Sequence, residues 1–228
     1  MKMKIKLVFA VLIAFVGISQ AQTQKDSRSL RDFNVVKVSN SIKAELVKGD
    51  ENKVEITASG IDVGNVETAV VGDALEVRLA RGNFRNHAVR VVVTYKDIQG
   101  IEASSSAQVV AKSNIEAIEA YLSSSNNAYL EASVTADKLN MDAATNSRIF
   151  VKGKVKQLEV NAYTNAQIDG MKLVAENVNV LGNTTASISF TATSSINGSL
   201  ATAAKIVYDG NPSEINVKTG TGGSIKKK

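Results

Sequence analysis

The sequence predicts an all-β protein wound as a β-solenoid with rungs of about 19 residues. Three observations predict it. A five-residue signature recurs seven times: Ser105-Ser106-Ala107-Gln108-Val109, Asn126-Asn127-Ala128-Tyr129-Leu130, Thr145-Asn146-Ser147-Arg148-Ile149, Thr164-Asn165-Ala166-Gln167-Ile168, Thr184-Thr185-Ala186-Ser187-Ile188, Thr202-Ala203-Ala204-Lys205-Ile206 and Thr221-Gly222-Gly223-Ser224-Ile225. Their closing residues step by 21, 19, 19, 20, 18 and 19. Between the copies lie short strand-type runs, and no window holds an amphipathic helix of useful length. The one helix-like window, Asn114 to Tyr121, is rich in Ala and Glu but fits a turn and a strand equally.

In chain order, residues 1–21 have the three parts of an export signal. Lys2, Lys4 and Lys6 make a basic start, Ile5 to Ile18 an apolar core, and Ser19-Gln20-Ala21 a small-x-small cleavage site. The apolar stretch is short for a membrane span, and no Cys follows it to carry a lipid. Cleavage after Ala21 leaves 207 residues (228 minus 21) with no transmembrane segment, expected in the periplasm, at the outer membrane or outside the cell. Losing three lysines takes the net charge from +5 to +2. That is too little for a nucleic-acid footprint, so no nucleic-acid partner is expected.

Gln22 to Arg31 is polar and reads as a flexible leader. Phe33 to Val38, Ile42 to Val47, Val54 to Thr57, Ala74 to Leu79 and Val89 to Tyr95 alternate or run β-branched, as strands do. Gly49-Asp50-Glu51-Asn52, Gly72-Asp73 and Arg81-Gly82-Asn83 separate them as turns. From Ile101 each repeat reads as a strand, a small-residue corner, a second strand and a variable connection. The fifth signature position, always Val, Leu or Ile, belongs inside the coil. The fourth varies from Gln to Tyr, Arg, Ser and Lys and belongs in water. The third is Ala, Ser or Gly, which suits a backbone bent tightly over the next rung. In the first five copies the first two positions are Ser, Asn and Thr, which can bond to corner backbone and to one another between rungs. The tail, Thr219 to Lys228, is rich in Gly and Lys, as a blunted sheet edge would be.

The residues offer little chemistry. Without Cys, thiol catalysis and zinc–thiolate sites are excluded. A single His, His87, excludes a multi-His metal site, and no Gly-x-Ser-x-Gly elbow accompanies it. Carbohydrate-cleaving β-helices set paired acids on outer strands. Here Asp142 falls over Asn161, Glu159 over Asn140 and Asn179, and Glu131 over Phe150 and then Asp169, so no two acids share a column on consecutive rungs. Asp50-Glu51-Asn52 and Asp209-Gly210-Asn211 read as ordinary turns rather than calcium loops. Tyr129 and Tyr163, read as exposed aromatics, could stack on sugars, but scattered surface or packing roles fit them better. No catalytic, cofactor-binding or metal residue is assigned, and no cofactor is expected.

One further pattern spans nearly the whole mature chain. The runs Phe33-Asn34-Val35-Val36-Lys37-Val38, Ile42-Lys43-Ala44-Glu45-Leu46-Val47-Lys48-Gly49-Asp50, Val54-Glu55-Ile56, Leu75-Glu76-Val77, Val91-Val92-Val93-Thr94-Tyr95 and Ile101-Glu102-Ala103-Ser104-Ser105-Ser106-Ala107 resemble the head GIN domain family. That family is labelled as auto-transporter adhesins and is common among exported proteins of the Bacteroidetes type. The resemblance implies a right-handed parallel β-helix and carries no catalytic residues. The expected organisation is a signal peptide over 1–21, a flexible leader over 22–31 and one solenoid domain over 32–228, with clear repeats over 101–228. The expected function is non-enzymatic: an adhesin-like or structural envelope protein that binds a glycan, matrix or another envelope protein. The alternative is a glycan-active β-helix enzyme of the lyase or hydrolase kind.

The tripartite leader makes a direct prediction. N-terminal sequencing of the protein from its native host will find a mature chain beginning near Gln22, outside the cytoplasm; an intact Met1 on a cytosolic protein refutes it.

Overall fold

The computed structural model describes residues 23–228; the expected export signal over 1–21 lies outside them. The described residues form one 16-stranded sheet that coils on itself. Eight strands build the N-terminal part: β1 (Thr23–Ser29), β2 (Val35–Val38), β3 (Lys43–Lys48), β4 (Lys53–Ser59), β5 (Val66–Val71), β6 (Ala74–Leu79), β7 (Ala88–Tyr95) and β8 (Gly100–Ala103). The next five, β9 (Gln108–Ser125), β10 (Tyr129–Ala144), β11 (Arg148–Tyr163), β12 (Gln167–Gly182) and β13 (Ser187–Leu200), each wrap most of a turn. β14 (Lys205–Asp209), β15 (Glu214–Thr219) and β16 (Ser224–Lys227) finish the stack. From β8 onward every pairing is parallel, one rung to the next. The helix-like window Asn114 to Tyr121 lies inside β9.

The corners explain the repeat. At every corner from Ser105 to Ala203 the first two signature residues have φ between 48° and 66°. These are the φ signs of a type I′ turn, with both central residues left-handed. The turn closes on itself where Ala107 N–H donates to Ser104 O at 3.0 Å and Ala128 N–H to Ser125 O at 3.2 Å. The twist also aims the corner backbone along the stack. The second-position N–H donates to the first-position carbonyl of the following rung: Ser106 to Asn126, Asn127 to Thr145, Asn146 to Thr164, Asn165 to Thr184 and Thr185 to Thr202, at 2.8–3.0 Å. Side chains join in where Asn165 Nδ2 donates to Asn146 Oδ1 at 2.8 Å. The corner is therefore a ladder in its own right, and its residues must tolerate the left-handed region.

Third-position residues point inward at these corners: Ala107, Ser147, Ala166 and Ala204 are fully buried. Ser147 keeps its hydroxyl satisfied by donating to Ser124 O at 2.7 Å and accepting from Ala144 N–H at 3.1 Å. The structure adds one corner that the repeat pattern does not reveal. Asn40 and Ser41 are left-handed too, Ser41 N–H donates to Ser105 O, and Lys43-Ala44 pairs with Gln108-Val109. Its third residue is Ile42, not a small one, yet it is fully buried. The rung beyond it turns through the longer connection 80–87 between β6 and β7, so no tight corner presses on Ile42 there.

The N-terminal part corrects one expectation. The segment read as a flexible leader over 22–31 contains β1, which pairs antiparallel with β4 along its whole length, from Thr23 opposite Ser59 to Ser29 opposite Lys53. Its polarity is real but its alternate residues face other strands. The Arg28 guanidinium donates to Asp26 Oδ2 at 2.7 Å, Val66 O at 2.7 Å and Thr68 Oγ1 at 2.8 Å, and Gln24 Oε1 accepts from Val63 N–H at 2.9 Å. The pairing with Arg28 lowers the Asp26 pKa below the ordinary carboxylate value. β1 and β4 thus form an antiparallel edge on one side and β5, antiparallel to β6, an edge on another; Arg28 clasps the two.

The interior is a set of apolar columns. Ile149, Ile168 and Ile188 lie in register on successive rungs, each at most 2% exposed, while Gln167 beside them is exposed. Stacked about 4.8 Å apart, as paired strands are, they leave no room to collapse if one is shortened. Ile168→Ala is expected to cost roughly 2–5 kcal/mol, Gln167→Ala within about 0.5 kcal/mol, and Ala166→Leu roughly 1–3 kcal/mol by overfilling the corner. Denaturant melts check the contrast, and equal effects at Gln167 and Ile168 refute the register. A second test addresses the turn. Thr164, at φ 51°, holds a β-branched side chain in the left-handed region. Thr164→Asn should stabilise the fold by roughly 1 kcal/mol or less, a fraction of the left-handed cost; a loss of stability in the same melts contradicts this account.

Candidate functional site

The panel made by β1, β4, β7, β3 and the first parts of β9 to β14 and β16 shows a continuous outer face. Its outward columns follow from the ladder. Gln108, Tyr129, Arg148, Gln167 and Ser187 stack in one, and Val110, Glu131, Phe150, Asp169 and Ser189 in the next. Tyr129 and Phe150 meet diagonally across the two columns, with ring centroids 5.5 Å apart and planes at 38°. The Tyr129 hydroxyl donates to Glu131 Oε2 at 2.9 Å. Burial, and then the Glu131 carboxylate, push the phenol pKa above its ordinary value, so it remains a donor at any physiological pH. Phe150 is 38% exposed, a large aromatic face offered to solvent.

A groove of about 430 Å³ opens beside Phe150, between Glu131, Lys152, Asp169, Met171 and Lys172. A second concavity of about 400 Å³ lies on the other side of Tyr129, against Gln108, Asn127, Asn146 and Arg148. Local irregularity creates the first one. The β11–β12 ladder shifts register between Phe150 and Lys152, and the β12–β13 ladder between Gly170 and Val174. The extra residue accounts for the step of 20 from Ile168 to Ile188, and it throws Lys172 outward beside Lys152. Thr191 Oγ1 secures the bulge by donating to Met171 O at 2.9 Å. Asp169 Oδ1 accepts from Met171 N–H at 3.3 Å and from Ser189 Oγ at 3.2 Å. The groove thus combines an apolar floor, two carboxylates and two lysines on rigid strands.

The residues singled out by sequence fall in several places. Asp142 and Asn161 stack as expected and share a hydrogen bond at 2.9 Å. Glu131, Phe150 and Asp169 stack as expected, but the column matters on alternate rungs: the two acids flank Phe150 on strands about 9.6 Å apart, twice the strand spacing. A similar pair, Glu45 and Glu55, flanks Val92 in a concavity of about 770 Å³, but each is joined to a lysine, Lys112 at 3.5 Å and Lys53 at 3.3 Å. His87 packs edge-on against Phe84, centroids 6.3 Å apart. Asn52 ties its turn to the neighbouring chain, donating to Asp32 Oδ1 at 2.9 Å and accepting from Lys96 N–H at 3.0 Å. In the other acidic turn, Asp209 caps Gly210 N–H and Asn211 takes the Lys227 ammonium. Among the described residues no group of three or more His, Asp or Glu is placed to hold a metal. Tyr163, 39% exposed, stands apart from the Tyr129–Phe150 pair at the Thr164 corner. The lysine side of the groove is not legible in the sequence, because nothing there locates the bulge within its rung.

Comparison with known proteins adds the fold context. Among curated proteins none matches this chain. A crystal structure from Bacteroides fragilis described as a "putative adhesin" superposes with a TM-score of 0.81 at 16% identity, covering 91% of this chain and 97% of that one. A "putative adhesin" from Parabacteroides distasonis gives 0.70 at 17% identity, covering 91% and 98%. A "putative lipid binding protein" from the same species gives 0.69 at 15% identity, covering 90% and 96%. At these identities the likeness is one of fold. Among the described residues no helix is long and apolar enough to cross a membrane. Residues 32–212 match the family model described as "Putative auto-transporter adhesin, head GIN domain", so this chain belongs to the head GIN domain family, as its strand runs imply.

Proposed function

We propose that this protein is an exported, non-enzymatic, adhesin-like binding protein of the cell envelope, and that it binds through the outer face centred on Tyr129 and Phe150. The observation that carries the reading is the exposed Phe150 ring beside a groove with convergent polar groups, on a scaffold with no need to move. Family membership and adhesin-type neighbours of the same fold support it. The leader over residues 1–21 supports export. Stacked rungs suit extended ligands, because one face repeats polar groups at each strand step.

A second reading has its own observation. Glu131 and Asp169 face one groove across Phe150, and a pair of carboxylates some 6.5–9.5 Å apart is the arrangement of inverting glycoside hydrolases. Against it, both acids are exposed and stand on an open face, whereas catalytic acids are set apart by dry, unequal surroundings.

A screen of the exported chain against glycans and envelope proteins, run beside a polysaccharide-cleavage assay with and without calcium, tests both. Saturable binding is expected, weakened at least about tenfold in a Tyr129→Ala/Phe150→Ala double variant, the factor worth ~1.4 kcal/mol. Asn179→Ala, on another face of the same coil, should leave it unchanged. Reproducible cleavage abolished by Glu131→Gln would overturn the non-enzymatic reading.

A further inference from the structure

Resting on that reading, we infer that the Phe150 groove takes an acidic glycan, with a sugar ring on Phe150 and a carboxylate or sulfate substituent on Lys152 and Lys172. The lysines carry the argument. Most of the solvent-facing lysines that sit near acids in this fold are paired: Lys37 with Glu102, Lys48 with Asp97, Lys112 with Glu45, Lys138 with Glu119 and Glu159, and Lys156 with Asp137. Lys152 and Lys172 make no ion pair or side-chain hydrogen bond to any described residue. They also stand together. Lys152 is directly opposite Lys172 in the β11–β12 ladder, and both line the Phe150 groove. Like charges directly opposite on neighbouring strands destabilise a sheet. Here the β12 bulge brings them into that relation rather than relieving it. An anion seated between the two ammonium groups removes the repulsion.

The rest of the groove selects the kind of anion. Phe150 lies two residues from Lys152 on the same side of β11, about 6.6 Å along the strand. A ring stacked on the phenyl therefore holds a substituent over the lysines. Glu131 and Asp169, on the rungs either side of Phe150, can accept hydroxyl hydrogen bonds from that ring. Their negative charge so close to the lysines disfavours a uniformly anionic surface such as a bilayer. It suits a ligand that alternates hydroxyls with acidic groups, as uronate and sulfated polysaccharides do. Charge-assisted contacts supply affinity, and the aromatic contact supplies orientation.

The test is isothermal titration of the exported chain with oligogalacturonate, dextran sulfate, a neutral maltooligosaccharide and vesicles of phosphatidylglycerol in phosphatidylcholine. At least one acidic glycan should bind, and more weakly as added salt shortens the Debye length from about 30 Å to about 8 Å. Lys152→Gln/Lys172→Gln should weaken binding at least about tenfold, the worth of a lost charge-assisted hydrogen bond. Phe150→Ala should weaken it as well, with circular dichroism unchanged in both variants. Neutral oligosaccharide binding as tightly, with the lysine variant indifferent, overturns the acidic-glycan inference and leaves the binding function standing. Binding to the vesicles but to neither acidic glycan overturns it in favour of a membrane surface. Binding to none of the four probes overturns it too, and the wider screen with Tyr129→Ala/Phe150→Ala then decides separately whether this face binds anything.

Discussion

The fold depends on a backbone device, the corner in which two successive residues sit in the left-handed region. Left-handed geometry costs an ordinary residue roughly 1–2 kcal/mol. The chain accepts it at corner after corner because the twist turns one N–H and one carbonyl along the stack, where they bond to the neighbouring rungs. A corner with ordinary φ would leave those groups unpaired at the junction of two panels. Everything periodic follows from this. The corner fixes where each rung begins, so the fifth-position Val, Leu and Ile fall into one column and the third-position Ala and Ser into another. It also explains why Ser, Asn and Thr fill the first two places in the first five copies: short polar side chains meet water and backbone there without intruding on the core.

How much of this the sequence discloses varies with how local the cause is. The apolar fifth column, the exposed fourth column and the vertical neighbours Asp142–Asn161 and Glu131–Phe150–Asp169 are legible, because a constant period converts spacing into stacking. The corner at Asn40-Ser41 is not, because Ile42 breaks the small-residue rule at a place where the adjoining rung turns differently. β1 is not, because Thr23 to Ser29 alternates only polar residues. Its attachment is made with Arg28 and Gln24 bonding to main chain and Thr68 from residues 63–68, a long-range arrangement with no hydrophobic trace. β5 escapes as well, its Val66 and Val70 being separated by Glu67, Thr68 and Ala69 without clean alternation. At the site the aromatic member Tyr129 is visible in the repeat. The lysine member is not: a step of 20 says a residue has been added to the rung, and only the three-dimensional ladder says where.

This division has a functional logic. Regular rungs present regular surfaces, where pairs such as Asn114–Ser133, Asn146–Asn165 and Asn177–Ser195 bond from rung to rung. The β12 bulge is the departure from the repeat nearest to the exposed Phe150 ring, which is where the proposed binding reading places its ligand. It costs some ladder hydrogen bonds and gains a groove with charge of both signs. Rigid strands on either side hold the groove in shape, so a ligand need not order it.

The placement of β2 bears on how such a chain acquires its structure. β2 lies between β6 and β8, both of which come later in the chain. β3 likewise waits for β7 and β9. A chain emerging from its N terminus therefore cannot complete pairing around Val35–Val38 until about residue 103 is available, whereas each later rung needs only the next coil. The early strands are left with unpaired, β-branched edges for the longest time, the condition under which chains aggregate. The polar, lysine- and arginine-bearing strand β1, Thr23 to Ser29, pairs only with β4, Lys53 to Ser59, so the β4 edge can be covered while β2 and β3 still wait for their later partners.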